Sequence, residues 1–96
     1  MRNSRQYEKG IEFLLSLIEE WPQKYNQREM LAELYLRMGR RENALDEYNT
    51  VASAYLDEND TDNTIRILQR MMTIDPEHGG EYQLVVNRLR KQAQGS

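Results

Sequence analysis

The sequence predicts an all-α protein built from antiparallel helical hairpins. Apolar residues recur with the 3.6-residue period of amphipathic helices along most of the chain. Pro and Gly, two and five among 96 residues, fall mainly between these periodic segments. Only short turns separate the segments, and short connections make consecutive helices antiparallel neighbours. We predict one domain over residues 1–96 with about five helices, at 4–21, 26–38, 41–58, 61–74 and 80–92.

The first predicted helix carries an apolar face and ends before Pro22, which disfavours helical backbone in the preceding residue. Its face consists of Tyr7, Ile11, Leu14, Leu15 and Ile18. The second helix is predicted to begin with a capping box, in which Asn26 is the N-cap and Glu29 lies three positions later. Gly39 follows this helix at the place where a left-handed residue closes a helix end.

The third predicted helix is longer than its neighbours, because its apolar stripe runs from Ala44 to Leu56 without a Gly or Pro. Asn59 is expected to end this helix in the left-handed conformation. Asp60 or Thr61 then supplies the N-cap of the fourth helix.

The fourth helix is predicted to end before Pro76, and the run His78-Gly79-Gly80 predicts a break before the fifth. The tail from Gln92 onward is expected to fray. The first expectation rests on Pro and Gly, which interrupt helices. The second rests on terminal residues, which are poorly ordered in most domains.

The composition narrows the possible functions. The chain has no cysteine, which excludes disulfides, thiolate catalysis and Cys-ligated metals, and which favours a reducing, cytoplasmic location. A net charge of −3 argues against nucleic acid or an anionic membrane as the partner, because both attract basic surfaces. No apolar run approaches the ~20 residues of a membrane-spanning helix.

An internal repeat is visible in the spacing of small and apolar residues. Gly10, Ala44 and Thr64 are each followed by an aliphatic residue and then by large residues three and six positions further on. The spacing from Ala44 to Thr64 is much shorter than the spacing from Gly10 to Ala44. Pro22 follows Gly10 at the same distance at which Pro76 follows Thr64.

The segments before these repeats also match one another. Leu31-Ala32 with Tyr35 has a counterpart in Val51-Ala52 with Tyr55, and the fifth helix opens a third copy with Tyr82-x-x-Val85-Val86-x-x-Leu89. Small residues at such positions let two helices approach closely, while the large residues fill the space between them.

The run LAELYLRMGRRENALDEY, residues 31–48, resembles the hairpin signature of the tetratricopeptide repeat family. The residues that carry the resemblance are Leu31, Ala32, Tyr35, Gly39, Ala44, Tyr48, Pro22 and Pro76. With degenerate copies the resemblance covers residues 8–90 and implies a right-handed α-solenoid. Only the first spacing, from Gly10 to Ala44, equals the period of the family. Because the second is shorter, residues 48–55 are predicted to serve two hairpins within one continuous third helix.

The first helix then corresponds to the second half of a hairpin. Its apolar face needs cover, either from the other helices, from a second chain, or from the rest of a longer protein of bacterial type. We expect the chain to be a fragment of such a larger protein.

The resemblance implies a concave face, lined by the first helix of each hairpin, that binds a peptide. The groove residues it implies are Asn26, Glu29, Glu33, Leu36, Arg37, Asn49, Ser53, Leu56 and Asp57. Glu29 and Glu33 stand where a subgroup of the family has Lys and Asn for gripping a terminal carboxylate. An acidic groove favours a basic or amphipathic partner segment instead.

No set of residues in the sequence predicts an enzyme, a cofactor or a metal site. His78 is the only histidine, and it lies in a turn without converging ligands. The acidic residues between Asp57 and Asp62 lack the Gly and terminal Glu of a calcium loop, so helix capping explains them better.

Two functions remain open. The leading prediction is a scaffold module that binds a partner protein. The alternative is a homo-oligomerisation module, such as a homodimer, that uses the exposed face of the first helix. The residues predicted for that face are Tyr7, Ile11, Leu14, Leu15 and Ile18.

Overall fold

The computed structural model describes residues 4–95 and places five α-helices there. They are α1 (Ser4–Glu20), α2 (Tyr25–Arg37), α3 (Arg41–Asp57), α4 (Thr61–Ile74) and α5 (Gly79–Gly95), with a short 3-10 helix at Pro76–His78. These described residues contain no strand, which confirms the all-α class. The helix ends agree with the sequence prediction to within one position, except that α5 continues past Gln92.

The expectation that the tail frays from Gln92 is wrong, because α5 continues to Gly95. The residues concerned, Lys91-Gln92-Ala93-Gln94, are good helix formers and contain no helix breaker.

The chain forms two compact units, Met1–Glu47 and Tyr48–Ser96. The boundary between them falls inside α3, which is one continuous helix as the repeat spacing predicts.

In the first unit α1 packs against α2. Ile11, Leu14 and Ile18 of α1 form a buried cluster with Leu31 of α2. A Cβ added to Gly10 would lie 3.1 Å from Cδ1 of Leu34, so the glycine permits close approach of the two helices. At the other side of α2, Arg28 Nη1 donates a hydrogen bond to Glu47 Oε1 at 3.0 Å.

The predicted capping box at the start of α2 is wrong. Lys24 occupies the N-cap and makes no side-chain cap, and Asn26 already lies in the first helical turn. The turn after Pro22, in which Lys24 N–H bonds to Trp21 C=O, brings the chain into the helix earlier than the capping residues suggest.

The ends of α2 and α3 use the same device, as predicted. Gly39 has φ +78° and Asn59 has φ +61°. In each case the next residue donates its N–H back across the turn, Arg40 to Tyr35 C=O and Asp60 to Tyr55 C=O. This is the Schellman arrangement, which satisfies carbonyls that the helix end leaves unpaired.

In the second unit α4 packs against α5. The buried residues of α4 are Thr64, Ile67, Leu68 and Met71, and those of α5 are Val86 and Leu89. Asp60 caps α4 by accepting a hydrogen bond from Asn63 N–H, as the sequence predicts. The buried Thr64 hydroxyl donates to Asp60 C=O at 2.8 Å.

The predicted break at His78-Gly79-Gly80 lies elsewhere. Gly79 and Gly80 are the first residues of α5, and Gly79 has right-handed helical angles. The chain turns instead at Asp75 and Pro76, because proline offers no N–H to continue α4.

Candidate partner-binding groove

The first unit contains an open groove of about 550 Å³ between α1 and α2, hereafter the α1–α2 groove. Its lining comprises Gly10, Phe13, Leu14 and Leu17 from α1 and Asn26, Gln27, Met30, Glu33, Leu34 and Arg37 from α2.

Large apolar side chains reach solvent in this groove. Phe13 is 64% exposed and Met30 is 56% exposed, while Leu14 is buried beneath them. Concave apolar surfaces with a few polar groups are typical of binding sites. Methionine adapts its shape to different partners, and an aromatic ring contributes a large area on contact.

Polar residues follow one side of α2 along the groove. Asn26, Glu33 and Arg37 flank Met30 at spacings of three or four positions, which places all four on the same helical face. The groove therefore combines an apolar centre with polar groups of both charges.

Gln27 adds a hydrogen-bonding group to the wall of the groove. Its side-chain oxygen is buried and has no hydrogen-bond partner among the described residues. An unsatisfied buried acceptor costs about 1–3 kcal/mol.

The structure brings together three of the residues that the sequence predicts for a groove. Asn26, Glu33 and Arg37 line the α1–α2 groove, whereas the half-buried Glu29 and Leu36 do not. The α3 candidates Asn49, Ser53, Leu56 and Asp57 are exposed and belong to the second unit.

Sequence reasoning singled out neither Phe13 nor Met30 as a groove residue. Phe13 lies beside buried Leu14 in an apolar stretch of α1, and the period alone does not show which of these neighbours faces solvent.

The predicted self-association face of α1 is largely covered. Ile11, Leu14 and Ile18 are buried with Leu31 because α2 packs over them, so these three are not exposed as expected. Tyr7 is half-buried, and Leu15 is 45% exposed.

His78 is exposed at the corner between α4 and α5. Its Nδ1 lies 3.0 Å from a carboxylate oxygen of Asp75, and the Tyr82 hydroxyl donates to the same buried carboxylate at 3.1 Å. The hydrogen bond and the charge of Asp75 raise the pKa of His78 above 6.5. Across the described residues, no three His, Asp or Glu side chains cluster in a way that would hold a metal ion.

The fold is a set of consecutive antiparallel helical hairpins. Residues 29–55, which include most of α2 and α3, match the tetratricopeptide repeat family. This segment is thus a tetratricopeptide-type repeat, and repeats of this type generally mediate protein–protein interaction. A comparison with curated proteins gave no significant match. None of the described helices has the length and apolar character needed to cross a membrane.

Proposed function

We propose that the chain is a protein-interaction module that binds an amphipathic segment of a partner in the α1–α2 groove. The observation that carries the proposal is the pair of exposed apolar side chains, Phe13 and Met30, in one concave surface. Exposed apolar surface of this kind, rimmed by polar residues, marks interaction sites on proteins.

The chemistry of the groove favours a partner with one apolar face. An amphipathic helix lays such a face into a hydrophobic groove through residues spaced three or four apart.

The net charge of α1 favours basic groups on the partner. Helix α1 carries four carboxylates, on Glu8, Glu12, Glu19 and Glu20, against the two cations of Arg5 and Lys9. Glu33 adds a carboxylate on the α2 side. Complementary charge of this kind steers association and selects between partners.

The test uses amphipathic peptides selected on the wild-type protein from a displayed library. Binding of the selected peptides is then measured by fluorescence anisotropy for Phe13→Glu and Met30→Glu. We expect each change to weaken binding at least about tenfold, since a charge would enter an apolar contact. The matched control is Leu15→Glu, which adds the same charge to an exposed apolar residue of α1 outside the groove.

Two outcomes would contradict the proposal. Unchanged binding in both groove variants would remove the groove as the site. Unchanged binding of lysine-rich peptides to Glu33→Lys would remove the groove carboxylate as a basis of selectivity.

A second candidate function is self-association through α1. The exposure of Phe13 and Leu15 on this helix favours it. Ile11 and Leu14 do not provide a clean test, because a charge there would disrupt the core. Leu15→Glu should produce monomers if α1 pairs with α1 of a second copy, and a persistent dimer in light scattering would exclude that arrangement.

For either function we propose a non-catalytic role in the cytoplasm. Its support is the repeat type, which is a non-catalytic interaction motif, and the absence of cysteine.

A further inference from the structure

The two hairpins of the chain follow the same plan, at the offset that separates Pro22 from Pro76. At this offset Glu20, the last residue of α1, corresponds to Ile74, the last residue of α4. Tyr25, the first residue of α2, corresponds to Gly79, the first residue of α5. Equivalent positions of the α1–α2 and α4–α5 hairpins can therefore be compared directly.

The first hairpin exposes apolar side chains at positions where the second hairpin buries them. Phe13 is 64% exposed, whereas its equivalent Ile67 in α4 is 1% exposed. Leu17 is half-buried, whereas its equivalent Met71 is buried. The neighbouring pair, Leu14 and Leu68, is buried in both hairpins, so the difference is confined to one side of the helix.

The second hairpin is open at a different side. Val85 of α5 is 39% exposed, whereas its equivalent Leu31 in α2 is fully buried. Leu31 is buried because it packs with Ile11, Leu14 and Ile18 of α1. The equivalent position of α5 is not covered in this way, since Val85 stays exposed.

Helix α5 also repeats the segment of chain that precedes α4. Tyr48, Val51, Ala52 and Tyr55 in α3 recur at one constant offset as Tyr82, Val85, Val86 and Leu89 in α5. Val51 is fully buried where Val85 is exposed. Helix α5 thus repeats the apolar pattern of residues 48–55, but it exposes Val85 where α3 buries Val51.

We propose that α5 of one molecule packs over the Phe13 side of α1 in a second copy of the chain, so that molecules associate head to tail. In this arrangement α5 of one copy precedes α1 of the next copy, just as residues 48–55 precede α4 in the sequence. The inference rests on the proposed binding role of the α1–α2 groove and commits its Phe13 side to one occupant.

Charge complementarity supports a second copy as that occupant. Helix α1 has four carboxylates against two cations. Helix α5 has three cations, on Arg88, Arg90 and Lys91, against the single carboxylate of Glu81. The helices that would meet therefore carry opposite net charges, which favours their pairing over contact between two copies of α1.

A head-to-tail contact leaves one α1 surface and one α5 surface free on an assembly unless it closes into a ring. Such a heterologous contact forms rings or open filaments rather than a closed symmetric pair. We therefore expect the mass of the wild-type chain in light scattering to rise with concentration beyond that of a dimer, which is twice the 11.5 kDa of one chain.

Blocking variants give the decisive experiment. Phe13→Glu blocks the head and Val85→Glu blocks the tail, and each should be monomeric alone over the range in which the wild type assembles. An equimolar mixture should form a dimer, with twice the 11.5 kDa of one chain, and stop there, because one functional head and one functional tail remain. Circular dichroism checks that each variant keeps its helical content.

Two matched controls add the same charge to exposed apolar residues of the same helices. Leu15→Glu and Leu84→Glu should assemble like the wild type. The equivalents of Leu15 and Leu84, Gln69 and Met30, are exposed as well, so neither hairpin covers these positions.

A second measurement uses the absence of native cysteine. Phe13→Cys mixed with Val85→Cys and treated with oxidised glutathione should yield a two-chain disulfide on a non-reducing gel. Leu15→Cys mixed with Leu84→Cys should not. A disulfide in Phe13→Cys alone would indicate contact between two copies of α1 and would overturn the head-to-tail arrangement.

The outcomes separate this inference from the proposed function. A wild-type chain that stays monomeric at all concentrations, while Phe13→Glu still loses the selected peptides, overturns head-to-tail association and leaves the groove as a peptide site. Assembly that survives Val85→Glu also overturns the role of α5. Loss of neither assembly nor peptide binding in Phe13→Glu removes both proposals.

Discussion

The α1–α2 and α4–α5 hairpins have equivalent helix ends. Different side-chain interactions stabilise the corner between the two helices of each hairpin. At the corner of the first hairpin the Lys24 ammonium lies 5.4 Å from the centre of the half-exposed Trp21 ring. The equivalent pair in the second hairpin is the buried Asp75 and His78, joined by a hydrogen bond. The same two positions thus interact in both corners, through a cation–π contact in one and a polar network in the other.

The small-residue position differs in the same way. Gly10 lets Leu34 of α2 approach α1 to van der Waals contact. Its equivalent, Thr64, is buried and directs its hydroxyl to Asp60 C=O. The comparison teaches that one hairpin plan tolerates either an apolar or a polar residue at equivalent positions.

The largest expected effect tests the difference in burial between the equivalent residues Ile67 and Phe13. Ile67→Ala should lower the free energy of unfolding by about 2–5 kcal/mol, because a fully buried side chain leaves a cavity. Phe13→Ala removes a larger side chain from the equivalent position, yet should cost less than about 1 kcal/mol, because Phe13 is mostly exposed. Urea unfolding at a concentration where the chain is monomeric measures both.

Leu14→Ala and Leu68→Ala provide the control for this comparison. Both leucines are buried, so both changes should destabilise by about 2–5 kcal/mol. A loss at Phe13 as large as that at Ile67 would mean that Phe13 is covered in the folded monomer, contrary to the structure.

An intermediate effect tests the two corners. Asp75→Ala should destabilise by about 1–3 kcal/mol, because it removes a buried acceptor that binds both the Tyr82 hydroxyl and His78. Trp21→Ala at the equivalent position should cost less than about 1 kcal/mol, since the ring is half-exposed. Thermal unfolding of the two variants measures the contrast, and Tyr82→Phe should reproduce part of the Asp75 loss. Equal losses at Trp21 and Asp75 would show that the corners are not closed differently.

The sequence predicts the helices and two of their caps well, because these depend on local properties. A helix end with positive φ needs Gly or Asn, and Gly39 and Asn59 supply them. Asn26 was a misleading cap, since the turn after Pro22 already sets the start of α2. Gly79 and Gly80 were misleading breaks, since glycine also adopts helical angles and Pro76 had already turned the chain.

The candidate site was only partly predictable from the sequence. Asn26, Glu33 and Arg37, which the family resemblance implies for a concave face, line the α1–α2 groove. Phe13 was missed because its exposure depends on which helix packs beside α1, and the period does not contain that information. The self-association face was overestimated for the same reason, since α2 covers Ile11, Leu14 and Ile18.

The smallest effect sharpens the comparison of the corners through pH. The pKa of His78 is raised in the folded protein, by its hydrogen bond to Asp75, by the charge of Asp75, and by Glu81 and Glu77. A raised folded-state pKa means that the protonated histidine contributes stability below its unfolded pKa of about 6.5. That contribution is lost as pH rises through the higher folded-state pKa.

We therefore expect the urea midpoint of the wild type to fall slightly between a pH just below 6.5 and a pH above the folded-state pKa of His78. The fall should be absent in His78→Gln. A proton NMR titration of the single histidine should give a pKa above 6.5 that returns toward 6.5 in Asp75→Asn. Lys24→Gln, at the position equivalent to His78, should leave the pH dependence unchanged. A pH dependence that persists in His78→Gln would assign it to other groups and would leave the two corners indistinguishable in their response to pH.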